Sequence, residues 1–213
     1  MSKALIAFLI VAGLFFLLLL LGVGWRFGAP APVAETPSFR RLEVSETDPF
    51  KGLPQAPVTV IMAGSFTCSY CQQASQLMDQ LLGLYPDKVR IVWKDLPEQQ
   101  GAAYDAARAA RCAQLQGQFW TYHDSLFRQP VMNEEVYKTL AKDLGLKPDD
   151  FNRCYENKYT MELIQENISQ TSALNIVTVP YFQINDNYIL EGLHSLNDFR
   201  QAVENSLNSG AAL

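Results

Sequence analysis

The chain has 213 residues, with 17 basic against 22 acidic side chains, a net charge of -5 at pH 7 and two histidines. An acidic surface of that kind repels phosphate backbones, which excludes nucleic acid as the main partner. Hydrophobic residues make up 48% of the sequence, enough for one domain that buries roughly 70% of its unfolded surface.

Ala4 to Trp25 is a run of 22 residues without charge, bracketed by Lys3 and Arg26. A helix needs about 20 apolar residues to cross a bilayer. The expectation is therefore a membrane anchor over 1–27, with the span at about 4–25. A cleaved secretory signal is the competing reading. Its apolar core runs only about 7 to 15 residues, and Pro32 would stand just beyond the cleavage-like Ala29-Pro30-Ala31. Lys3 and the amino terminus on one side against Arg26, Arg40 and Arg41 on the other leave the orientation nearly balanced by charge. Residues 28–47, with Pro30, Pro32 and Pro37, read as an extended tether to a single domain over 48–213.

Val58-Thr59-Val60-Ile61-Met62 is a compact run rich in β-branched residues and reads as a strand. Beyond Phe66, apolar residues recur at helical spacing through Leu77, Leu81 and Leu84, so a helix follows. Cys68-Ser69-Tyr70-Cys71 sits at the junction. Two thiols at that spacing can close a small reversible disulfide. At a helix entrance the free backbone N–H groups and the positive dipole end favour a thiolate at Cys68. Cys71, one turn further in, is expected to be more buried and to act as the resolving thiol. The alternatives are a structural pair or half of a metal site.

Val89 to Trp93 reads as a second strand. From Gln100 to Ala173 the pattern is helical almost throughout, punctuated by Pro130, Gly145 and Pro148. Lys147-Pro148-Asp149-Asp150 is a helix start, with proline in the first turn and acids at the positive dipole end. This stretch holds the remaining cysteines, Cys112 and Cys154. An even count in an oxidising compartment favours a structural bridge between them; free buried thiols or a second redox pair are the other readings. The spacing of the four cysteines matches no common zinc pattern, so neither a metal nor a cofactor is expected. His123 lies among Phe119, Trp120, Tyr122 and Phe127, as expected of a hydrogen-bonded core histidine, and His194 is far from it in sequence. Asn167-Ile168-Ser169 fits a glycosylation sequon but falls within a helix. Tyr181 to Ile184 and Tyr188 to Leu190 read as a hairpin turned by Asn185-Asp186-Asn187, and Ser195 as the N-cap of a closing helix.

These elements form an α/β arrangement with a helical insertion over about 100–173 and the cysteine motif at a strand's carboxyl end. Ala56-Pro57-Val58-Thr59-Val60 leading into Phe66-Thr67-Cys68-Ser69-Tyr70-Cys71 resembles the opening of the DsbA-like branch of thioredoxin-fold thiol:disulfide oxidoreductases. Val89 to Pro97 is similar to the family's second strand and its exit. Ala109 to Ala113, Gly117 to Trp120 and Tyr122 to Phe127 are similar to its inserted helices, and Thr178-Val179-Pro180-Tyr181-Phe182 to its cis-proline loop.

The resemblance implies a thioredoxin-like fold with an inserted helical domain, preceded here by the N-terminal transmembrane helix. It implies that Cys68 is the sulfur that exchanges with substrates and Cys71 the one that resolves. Pro180 would be the cis-proline, since proline lowers the cost of a cis peptide to about 0.5 to 1 kcal/mol. Val179 would pair with an extended substrate strand. Two positions depart from the family. Met62 stands where several relatives place a buried acid, leaving proton transfer to water, Lys94 or Asp95, and Ser69-Tyr70 lacks the proline common at its first position.

The resulting expectation is a membrane-anchored protein disulfide oxidoreductase facing the extracytoplasmic, periplasmic side, where disulfides are sustained. It would act as an oxidase that donates disulfides to exported proteins and is recycled by a quinone-linked membrane partner. A reductase or isomerase, and a redox-inert anchored chaperone or binding module, are the alternatives.

Overall fold

The computed structural model describes residues 2–3, 11–17, 41–157 and 159–210. Two compact units are present, residues 1–37 and 38–213. In the first, residues 11–17 are helical. The expected span over 4–25 lies mostly outside the described residues, as does the expected tether up to residue 40. Among the described residues no helix is long and apolar enough to cross a membrane.

The second unit is built on five strands: β1 (Phe50–Gly52), β2 (Val58–Gly64), β3 (Val89–Asp95), β4 (Tyr181–Ile184) and β5 (Tyr188–Glu191), in the order β1-β3-β2-β4-β5. Helix α1 (Ser69–Leu84) crosses between β2 and β3 and makes them parallel, whereas the other pairs are antiparallel. Central strands lose both faces to packing, which is why β2 and β3 are apolar almost without alternation. On one face Val58, Val60, Met62, Ile91 and Trp93 meet α1 and the closing helix α7 (Leu196–Gly210). The other face packs Ile61, Ala63, Val92 and Tyr181 against Leu42 and Ile176. Leu42 is held there by the Gln183 side chain, which accepts from its N–H at 2.8 Å and donates to its carbonyl at 3.0 Å.

Between β3 and β4 lie α2 (Ala102–Gln114), α3 (Phe119–Leu126), α4 (Glu134–Asp143), α5 (Pro148–Glu156) and α6 (Tyr159–Ala173). Alanines at 103, 106, 107, 110 and 113 bury a flat face of α2, so neighbouring helices approach closely. Asn133 caps α4 by accepting from Val136 N–H at 2.9 Å. Cys112 of α2 and Cys154 of α5 are joined by a disulfide that closes a separation of 42 residues. In the chain-entropy account a loop of that size stabilises the fold by about 3 to 4 kcal/mol.

Four buried charges hold the insertion to the sheet. Lys94 Nζ lies 2.6 Å from an Asp48 oxygen, near enough for an ion pair though off the angle of a hydrogen bond. Arg111 Nε donates to Asp95 at 2.6 Å, and Asn167 Nδ2 reaches Asp48 at 3.3 Å. The set is electrically neutral, as burial of charge demands. Asn167 is therefore a core residue, and its sequon is closed to modification.

His123 is fully buried. Its ring packs edge-on against Trp93 and Phe127, with centroids 4.7 and 4.9 Å away. Nδ1 lies 2.8 Å from an Asp124 carboxylate oxygen, an acceptor that assigns the proton to Nδ1. Nε2 has no partner. Burial pushes the imidazole below its ordinary value, against the pull of Asp124 in the other direction.

Removing the Asp48 carboxylate leaves two buried cations facing one anion. We expect Asp48→Ala to cost about 3 to 5 kcal/mol in denaturant unfolding, with part of the loss recovered in the Asp48→Leu/Lys94→Met pair. Because the unfolded His123 titrates near its ordinary value of about 6.5, and the folded one lower, its stabilising contribution is present above that pH and is lost as pH falls below it. A thermal melting series from pH 7.5 to 5 is expected to decline less steeply for His123→Phe than for the parent.

Candidate active site

The site begins where β2 ends and α1 starts. Cys68 is the N-cap of α1, with extended backbone angles, φ -90° and ψ 114°, that turn its side chain back over the first turn. Backbone bonds fix the turn on both sides: Cys68 N–H donates to Ser65 O at 3.2 Å, and Gln72 N–H to Cys68 O at 3.1 Å. Cys71 N–H, one of the donors a helix start leaves free, points at Cys68 Sγ from 3.1 Å. A sulfur so placed is stabilised when it carries negative charge.

The two thiols are unbridged and differ in solvation. Cys68 is half-buried, between exposed Thr67 and exposed Ser69, whereas Cys71 is completely buried in the main core. Burial, reinforced by the neighbouring Cys68 sulfur, pushes the Cys71 thiol far above its ordinary range, so it is neutral at physiological pH. Met62 lies in the same core, where it brings no carboxylate to Cys71. Lys94 and Asp95 are taken up by Asp48 and by Arg111 with Trp93.

Facing the cysteines is the loop that enters β4. The Val179-Pro180 peptide is cis, and Val179 O lies 3.8 Å from Cys68 Sγ, within reach of its thiol proton. Val177, two residues earlier, is 90% exposed. On the other side of Cys68, Phe66, Phe127, Pro130 and Met132 line a shallow groove of about 280 Å³ between the sheet unit and the insertion. Gln72 of α1 donates across that seam to Phe127 O. A roomier recess of about 580 Å³ opens beside Arg41, Thr59 and Ser209 and contains no cysteine or histidine, so volume does not mark the chemistry here. Among the described residues no cluster of His, Cys, Asp and Glu is arranged to hold a metal ion.

Cys68, Cys71, Val179 and Pro180 thus come together, while Cys112 and Cys154 are bonded to each other in the insertion. Sequence reasoning did not single out Gly64 or Trp93. A Cβ at Gly64 would stand 2.7 Å from Trp93 Cη2 and 3.4 Å from Cys71 Sγ. The one available signal was a glycine closing a strand just before the motif, which marks close approach by a neighbour.

Residues 44–205 match the model of the Thioredoxin family. Among solved structures, a thioredoxin-like oxidoreductase from Silicibacter pomeroyi superposes with a TM-score of 0.71 at 25% identity, covering 77% of this chain and 94% of that one. A point variant of α-DsbA1 from Wolbachia pipientis gives 0.70 at 21% identity over 80% and 96% of the two chains. A periplasmic thioredoxin-like protein from Salmonella enterica serovar Typhimurium gives 0.67 at 22% over 76% and 91%. The curated relatives include a Na(+)/H(+) antiporter NhaA 1 of Mycolicibacterium gilvum, 36% identical over 145 residues, and this chain spans only 24% of its length. The match covers most of the sheet, the cysteine junction and the inserted helices together, and the chain belongs to the Thioredoxin family, with the fold of the DsbA-like thiol-disulfide oxidoreductases.

Proposed function

We propose that the chain is a protein disulfide oxidase, donating the Cys68–Cys71 disulfide to exported proteins. The observation that carries this is the Cys71 N–H held 3.1 Å from a partly exposed Cys68 Sγ while Cys71 itself is sealed in the core. A substrate thiolate attacks Cys68, the sulfur–sulfur bond breaks, and its electron pair goes to Cys71. A second substrate thiolate then attacks the first substrate sulfur and displaces Cys68 as the leaving thiolate. The substrate loses two protons and two electrons, and the pair gains them as two thiols. The better Cys68 is stabilised as an anion, the better it leaves and the more oxidising the couple becomes. Val179 and Pro180 would align an extended substrate beside Cys68, and the Cys112–Cys154 bridge would be structural.

The apolar run at 4–25 supports a membrane anchor with the catalytic domain on the extracytoplasmic side, where a membrane redox partner would reoxidise the pair. The antiporter relatives fit that setting, because ion exchange takes place across a bilayer.

Full-length protein in detergent, with the pair oxidised, is expected to refold reduced ribonuclease. Cys68→Ser is expected to abolish this, and Cys71→Ser to accumulate mixed disulfides on non-reducing gels. Full turnover by Cys68→Ser would sink the mechanism. Equilibration with glutathione fixes the direction: a strongly oxidising couple supports the oxidase, and one near thioredoxin's, about -270 mV, would assign a reductase instead.

A further inference from the structure

Trp93 and Cys71 both close on the place where a Gly64 side chain would be, Trp93 Cη2 to within 2.7 Å and Cys71 Sγ to within 3.4 Å. The indole is 1% exposed and backed by other rings, with the centroids of His123 and Phe66 at 4.7 and 5.3 Å. Its Nε1–H donates to one Asp95 oxygen at 2.8 Å, and the other oxygen accepts from Arg111 Nε at 2.6 Å. Arg111 is fixed in turn by the Thr47 carbonyl at 2.8 Å and Asn167 Oδ1 at 2.9 Å. The tilt of the indole is therefore set by a buried, charge-assisted hydrogen-bond chain rather than by packing alone.

We propose that Asp95, held by Arg111, is a positioning residue for the exchange: it pins the Trp93 indole as the wall that closes Cys71 Sγ off from water, leaving Cys68 as the sole sulfur open to attack. This rests on the reading of Cys68 and Cys71 as the exchanging pair. An indole carbon edge offers a sulfur anion no donor, so the wall contributes to the burial that, together with the Cys68 sulfur, keeps Cys71 protonated. If the indole swings, water enters, the Cys71 thiolate becomes accessible and a second, wrong sulfur can react.

The test uses the full chain in detergent with Cys68→Ser, which leaves Cys71 as the one free thiol beside the bonded Cys112–Cys154 pair. Its reaction with a neutral maleimide is followed at pH 8. Trp93→Phe removes the pinned N–H but keeps an apolar ring and the Asp95–Arg111 pair. It is expected to speed Cys71 about tenfold, the effect of one unit of thiolate equilibrium, and Asp95→Asn to do the same. Phe151→Leu, packed against Tyr122 in the insertion, is the control for loosened packing and is expected to leave the Cys71 rate unchanged. Parent-like reactivity in folded Trp93→Phe overturns the proposal, as does equal acceleration by Phe151→Leu. Should Asp95→Asn fail to fold, Trp93→Phe decides. Alkylation needs no turnover, so a chain inert in ribonuclease refolding but showing these rates would reject the oxidase and leave the positioning role standing.

Discussion

The backbone N–H of Cys71 aims at Cys68 Sγ from 3.1 Å, and the surrounding fold leaves Cys68 partly open to solvent while it closes Cys71 off. A helix start supplies free donors wherever it occurs. Here β2, the central strand, hands the chain to α1 in extended form, so that Cys68 takes the cap position and Cys71 falls one turn inward, the placement on which the proposed redox role rests. The spacing of the two cysteines is that between a cap side chain and the third helical residue, one of the two whose amides a cap can accept from.

Two effects compete at these sulfurs, and their sizes decide the division of labour. A hydrogen bond to a charged group contributes about 1.5 to 3 kcal/mol. An isolated charge in the interior costs more than one such bond returns, and the group stays neutral instead. Cys68 has the bond and partial solvent; Cys71 has the desolvation. The N–H of Cys71 thus serves the sulfur that solvent can reach, while the buried sulfur stays a neutral thiol.

Much of this was legible in the sequence, for reasons that can be named. β2 and β3 announce themselves because strands buried on both faces must be apolar throughout. The helix after Cys68 shows in the spacing of Leu77, Leu81 and Leu84, but of these only Leu81 is buried, and the buried face is completed by Ala74 and Met78. The edge strand β1 was not legible: Phe50, Lys51 and Gly52 are too few to show a period, and their pairing with β3 is made by backbone alone. Leu42 was hidden by its proline-rich surroundings. The union of Asp48, Lys94, Arg111 and Asn167 is a long-range one, and nothing local in any of the four segments points to the others. Gly64 signals a close approach by some neighbour, and only the fold shows that neighbour to be Trp93 on the adjoining strand.

The alternation of side chains along β3 ties these hidden features together. Trp93 and Asp95 point to the face that holds Cys71, and Lys94 between them points to the opposite face, toward Asp48. Arg111 spans both groups, bonding Asp95 and approaching Asp48 at 3.9 Å. One strand thus carries the wall beside Cys71 and the charges that dock the insertion, with a single guanidinium linking them. Asp48 stands at the boundary where composition would place the end of a tether, yet its carboxylate neutralises the cation that Asp95 alone cannot balance. A domain cut on composition just after that residue would lose more than a linker: it would leave a buried lysine unpaired one residue from the indole that shields Cys71.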